Sequence, residues 1–119
     1  MKRKDLIEKL KSVSVVTEKV EDMQKEYGTE FSQEMKSIIS QSIEPLFFED
    51  NSRMLSYGEI FSADIEYDNN FKELGIVPLI ECFDNDFIVY NIRTGMYEMY
   101  NIIEKIAFNE NKTLKDVLS

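Results

Sequence analysis

The amino-acid sequence predicts an α+β domain: N-terminal helices on one face of a mainly antiparallel sheet of about four to six strands, with a short C-terminal helix. Three observations carry this expectation. Helical spacing of apolar residues is confined to the first third of the chain. From Pro45 onward the apolar runs shorten and are separated by Gly, Asn and Asp, the residues that punctuate turns. The block from Gly75 to Phe108, GIVPLIECFDNDFIVYNIRTGMYEMYNIIEKIAF, reads as strand, acidic turn, strand, glycine turn, strand, then helix. The 119 residues make one domain: a helical part at 1–40, a sheet at 44–101 with a short helix near 57–63, and a C-terminal helical part at 102–119.

Each element has a local reason. Leu6, Ile7, Leu10 and Val13 form one apolar stripe, so residues 2–13 are helical. Thr17 is placed to cap a helix over 18–27, with Val20, Met23 and Tyr27 inward and Gly28 in its left-handed C-terminal position. Ser32 caps a third helix whose Met35, Ile38 and Ile39 face the core. Pro45–Phe48 is a short strand beginning or edge, because proline lacks a ladder donor. Glu49, Asp50 and Asn51 turn the chain into a second short strand, Arg53–Leu55. Ser56 and Glu59 have capping-box spacing and start a short helix. Over Ala63–Asp68, Asp64, Glu66 and Asp68 alternate with Ile65 and Tyr67, a half-buried strand with its acids outward.

The strand Ile76–Cys82 is nearly all apolar, as a strand covered on both faces is. Pro78 within it implies an edge or a bulge. Phe83–Asp86 makes a hairpin turn into Phe87–Ile92, and Arg93–Gly95 makes a second turn into Met96–Tyr100. On that last strand Tyr97 and Tyr100 differ in parity and face opposite sides. Asn101 caps a helix from Ile102 to about Phe108, and Thr113–Ser119 is a terminal helix or frayed tail.

Charge is distributed unevenly. The formal net charge is −9, and residues 41–90 carry all of it: 11 acidic side chains against Arg53 and Lys72. Such a field repels nucleic acid and speeds encounter with a basic partner. The acidic side chains singled out for partner binding are Glu49, Asp50, Asp64, Glu66, Asp68, Asp84 and Asp86. The absence of histidine removes Ser-His-Asp and Cys-His catalysis within the chain. Cys82, the single cysteine, lies in an apolar strand where burial raises a thiol pKa, so it reads as core. Asp84–Asn85–Asp86 opens like a calcium loop but continues with Ile88, Val89 and Gly95 where ligands, glycine and a bidentate acid are needed. No catalytic residue, cofactor or metal is expected. The basic N-terminus is interrupted by Asp5 and Glu8, no run is long enough to span a bilayer, and the cytoplasm is the simplest location.

Within the Gly75–Phe108 block, Ile76, Pro78, Leu79, Ile80, Glu81, Cys82, Asp84, Asn85, Asp86, Phe87, Ile88, Tyr90 and Asn91 are followed by Tyr100, Asn101, Ile102, Ile103, Glu104, Ile106 and Phe108. This wording resembles the C-terminal half of the SUKH superfamily. That family usually opens with a helix, a Leu-Pro pair, and a second helix ending in Asn-Gly. Here Phe31–Ser32 stands in place of Leu-Pro, and no Asn-Gly follows. The resemblance implies an α+β domain with a strongly bent sheet. It also implies an immunity protein that binds and neutralises a bacterial toxin, a nuclease being suited to the acidic segment. The partner expected is a basic toxin domain, with no nucleic acid and no membrane, bound by a monomer or weak homodimer. A regulatory or scaffold interaction domain without a toxin is the alternative.

Overall fold

A computed structural model describes residues 1–41 and 44–118. The described residues form an α+β fold built on one open six-stranded sheet, whose spatial order β1 to β6 follows the chain order. Every neighbouring pair in it is antiparallel. No described helix is long and apolar enough to cross a membrane.

The first third folds as its apolar stripes dictate. A 3-10 turn at Arg3–Asp5 leads into α1 (Leu6–Lys11), which buries Leu6 and Leu10. Helix α2 (Thr17–Tyr27) buries Val20, Met23 and Tyr27; its N-cap is Val16, so Thr17 is the first helical residue rather than the cap. Gly28 ends it at φ +64, donating its N–H to the Gln24 carbonyl. Helix α3 (Gln33–Gln41) starts at Ser32, whose Oγ accepts from the Met35 N–H at 3.2 Å, and it buries Met35, Ile38 and Ile39.

Strands β1 (Leu46–Phe47) and β2 (Arg53–Met54) are joined by the expected Glu49–Asn51 turn. Ser56 and Glu59 complete a reciprocal capping box on α4 (Tyr57–Phe61). The next segment departs from expectation. Ala63–Asp68 is not a strand: α5 (Ala63–Glu66) follows directly, with the N–H groups of Glu66 and Tyr67 donating to Ser62 and Ala63 carbonyls. The sheet pairs β2 directly with the strand that follows this segment, so no slot remains for a strand here. Ile65 is consequently 88% exposed, while Ala63 and Tyr67, four residues apart on one helical face, turn inward. Helix α6 (Phe71–Leu74) ends at Gly75, φ +73.

Strands β3 (Ile76–Glu81), β4 (Asp86–Asn91) and β5 (Met96–Asn101) form the expected meander. In the β3–β4 turn Asp84 and Asn85 both take positive φ, the primed geometry that matches strand twist. Pro78 sits at a register shift between Pro78 and Ile80. It also lies beyond the reach of β2, which pairs only with Ile80 and Glu81, so its missing N–H breaks no ladder on that side.

The largest departure is Ile102–Phe108. Residues 102–105 are a tight turn, and β6 (Ile106–Asn111) returns along β5 as a sixth strand. Asn101 makes the first bonds of a helix cap, its Oδ1 accepting from the Ile103 and Glu104 N–H groups. The helix is not propagated because Lys105 takes φ +59 and reverses the chain. Helix α7 (Leu114–Leu118) then packs against β5 and β6, burying Leu114, Val117 and Leu118. Ser119, the last residue of the expected tail helix, lies outside the described residues.

Strand β4 shows how the layers are arranged, since Phe87–Tyr90 are all buried on alternating faces. Phe87 packs on Tyr67 and Phe71, at ring distances of 4.9 and 6.2 Å, so α5 and α6 cover one face. Tyr90 meets Phe31 edge-on at 6.4 Å, so the N-terminal helices cover the other. Tyr97 and Tyr100 divide as expected, Tyr97 against Tyr90 and Tyr100 against Phe71. The two helical layers meet beside β3, where Lys72 pairs with Glu26 at 3.4 Å.

Candidate functional site

The acidic side chains expected to bind a partner sit on three segments: Glu49 and Asp50 at the β1–β2 turn, Asp64, Glu66 and Asp68 at α5 and just beyond it, and Asp84 and Asp86 at the β3–β4 turn. Glu49 and Asp50 hold the β1–β2 turn to the N-terminus: the Glu49 N–H donates to the Met1 carbonyl, and Asp50 pairs with Arg3 at 2.8 Å. Bonds from Ser52, then Arg3, hold the Asp50 carboxyl below its ordinary value. Asp64 accepts from the N–H groups of Phe71 and Lys72 and thereby caps α6. Glu66 and Asp68 are exposed, but a helical turn and a left-handed Asp68 (φ +49) separate them from any shared strand face. Asp84 and Asp86 occupy the β3–β4 turn.

Two acids of the segment, Glu59 and Glu81, share its Arg53. Arg53 donates to Glu59 at 2.7 Å, to Glu81 at 2.9 Å and to the Tyr67 hydroxyl at 3.2 Å. The Arg53 bond is the chief reason the Glu59 carboxyl lies below its ordinary value. Arg3 also reaches Cys82, its Nη1 3.8 Å from Sγ, supplying a cation that no neighbour in the sequence offers. Burial still prevails and pushes the thiol up to about 11.

What the structure does bring together is the end of the sheet where the β3–β4 and β5–β6 turns meet. Asn101 joins them. Its Nδ2 donates to the Asp84 carbonyl at 3.0 Å and to Asp86 Oδ1 at 2.9 Å, while its Oδ1 organises the next turn. The Ile102 N–H donates to the Asn85 carbonyl at 3.0 Å. From this junction β6 runs along the sheet edge with Ile106 to Glu110 exposed and, among the described strands, only β5 beside it. Phe83, Ile103, Ile106 and Phe108 are all exposed, the last three on the β5–β6 hairpin. Glu104, Glu110 and Asp84 are exposed around them.

On the α5–α6 side of this edge lies a cavity of about 320 Å³ lined by Asn69, Asn91, Glu98, Tyr100, Lys105 and Ala107, with Leu74 and Ile76 among its apolar walls. Asn69 is fixed there, donating to the Ile102 carbonyl at 2.9 Å and accepting from Tyr100 Oη at 3.4 Å. Burial raises the Tyr100 phenol above its ordinary value. Glu98 is only 6% exposed and accepts from Asn91 Nδ2 at 3.0 Å.

Neither β6 nor Glu98 stood out in the sequence, although both leave a signal. Tyr90-Asn91-Ile92 recurs as Tyr100-Asn101-Ile102, so the same turn is written twice, ten positions apart. Both turns use an Asn Oδ1 as acceptor and a positive φ four residues on, at Gly95 and Lys105. Glu98 shares strand parity with Met96 and Tyr100, so an acid had to enter an apolar face. Comparisons with protein-family models, curated proteins and solved structures find no match for this chain.

Proposed function

We propose that this chain is a non-enzymatic protein-binding module, an immunity protein that neutralises a basic bacterial toxin domain by occluding it. The toxin class rests on the SUKH-like wording of the β3–β5 segment. The observation that carries protein binding is β6: an exposed edge strand with exposed Ile103, Ile106 and Phe108, rimmed by Asp84, Glu104 and Glu110. Apolar anchors of this kind hold affinity, and rim acids steer a basic partner. The free edge also offers N–H and C=O groups to an added strand. A nuclease toxin, basic where it grips phosphates, suits this arrangement.

The test is co-expression with the toxin domain encoded beside this chain, scored as growth rescue, followed by calorimetry on the purified pair. The double variant Ile106→Lys with Phe108→Lys is expected to weaken binding at least tenfold while leaving the thermal midpoint nearly unchanged. No growth rescue by the wild-type chain would overturn the immunity role. Undiminished affinity in the double variant would remove β6 from the interface.

A further inference from the structure

Glu98 is an anomaly that the fold itself does not explain. Its strand neighbours on the same face are Met96 and Tyr100, and the residue opposite it on β4 is Val89. A carboxylate in such a position is costly to desolvate unless it is paired. One neutral amide, Asn91 Nδ2, donates to Oε1. No described residue donates to Oε2, and Lys105, on the wall of the same cavity, makes no ion pair with it. Among the described residues the buried polar atoms without a partner are the Tyr27 and Tyr97 hydroxyls, so the second Glu98 oxygen opens onto the cavity rather than being sealed in the core.

The walls of that cavity specify what would compensate it. Leu74, Ile76, Ala107 and the Tyr100 ring are apolar, and the acid lies among them. Its volume of about 320 Å³ is at the small end of ligand sites, which run from roughly 300 to 1,000 Å³. An alkyl stem ending in a cation satisfies both features: the stem lies on the apolar walls and the head donates to Glu98. A planar guanidinium adds the option of two parallel bonds to the carboxylate. Anionic ligands are disfavoured by Glu98, and neutral apolar ones leave its oxygen unpaired.

We infer that the cavity between α6 and the β5–β6 hairpin is an acceptor site for an alkylguanidinium or alkylammonium group held by Glu98. The occupant is an arginine or lysine side chain of the bound partner, an assignment that rests on the protein-binding reading above. The cavity borders β6, so a chain seated on that edge passes its mouth. Glu98 would then supply specificity, because a partner lacking the cation leaves a buried acid unpaired.

The test uses the isolated 119-residue chain and agmatine, followed by NMR of the Ala107 methyl and Tyr100 ring. Wild-type protein is expected to show saturable shifts with agmatine and none with pentanoate at equal concentration. Glu98→Gln is expected to weaken agmatine at least tenfold. Ala107→Leu, on the exposed strand and so tolerant of a larger side chain, is expected to block the cavity without altering the fold. Absence of saturable shifts in wild type, or equal affinity in Glu98→Gln, would overturn the site. A second arm adds agmatine to the chain–toxin complex. Competition is expected if a partner side chain fills the cavity; saturable agmatine binding without competition would overturn that occupant and leave a free small cation as the ligand. Because the first arm needs no toxin, failure of the immunity role and failure of the cavity are read separately.

Discussion

The β3–β4 and β5–β6 hairpins obey the same local rules and end in opposite environments. Each has a tight turn with left-handed residues, Asp84 and Asn85 in one and Lys105 in the other. Yet β4 is buried on both faces over Phe87–Tyr90, whereas Ile106–Glu110 of β6 are exposed. The difference lies in what covers them. Helices α5 and α6 and the α2–α3 loop close over β4 from two sides, and their layer stops short of β6. Turn chemistry therefore makes hairpins, and long-range coverage decides which of them is core and which is surface.

The largest expected contrast comes from truncating an equivalent aromatic in each hairpin. Phe87→Ala removes a ring packed between Tyr67 and Phe71 and is expected to cost about 3–5 kcal/mol in urea unfolding. Phe108→Ala is expected to cost about 1 kcal/mol, because the residue is 45% exposed and only about half of its apolar area is covered. Similar losses at both positions would mean that β6 is covered in solution.

A smaller effect separates the polar support of the central strands from the edge. Arg53→Met leaves Glu59 and Glu81 without their shared cation and is expected to cost about 2–3 kcal/mol. The same cluster sets an acid limb. The Glu59 carboxyl lies below its ordinary value of 4.5 when folded, so its contribution is full above that pH. It is lost as pH falls through the folded value. Urea midpoints measured from about pH 6 to 3 should fall more steeply for wild type than for Glu59→Gln. Parallel curves would show that Arg53 does not hold Glu59 in solution.

The smallest effect probes the turns that the hairpins share. Gly95 has φ +72, and an added Cβ meets only Tyr90 Oη at 3.8 Å, so Gly95→Ala tests backbone strain alone. A loss of about 1 kcal/mol is expected, with a gain of about 0.5 kcal/mol for Lys105→Gly, which relieves the same strain in the last turn. A destabilised Lys105→Gly would show that the lysine side chain, not its backbone angle, matters there.

These contrasts also mark how far local reading extends. Caps at Ser32 and Ser56, the left-handed Gly28 and Gly95, and the Asp84–Asn85 turn were all legible, because each acts on backbone groups within a few residues. Ala63–Asp68 misled because alternation over six residues also fits a short helix, and only the direct pairing of β2 with β3 excludes a strand. Ile102–Phe108 misled because Asn101 makes the same first bonds whether a helix or a reverse turn follows. The acidic segment was legible as composition, but the partners its members take were not. Asp50 is taken by Arg3 and Glu81 by Arg53, partners distant in sequence, while Glu59 and Asp64 are held by groups six to eight residues away.

By itself the sequence determined the fold class, the β3–β5 meander, the caps at Ser32 and Ser56 and the helix end at Gly28. Dihedral preference, proline geometry and side-chain capping are near-neighbour forces that operate before any tertiary contact exists. Only the tertiary structure decided that β6 stays exposed, that Arg3 reaches Cys82, and that Glu98 is enclosed beside an apolar cavity. Burial and ion pairing depend on which remote segments arrive to cover or neutralise a side chain, and spacing along the chain does not encode that arrival.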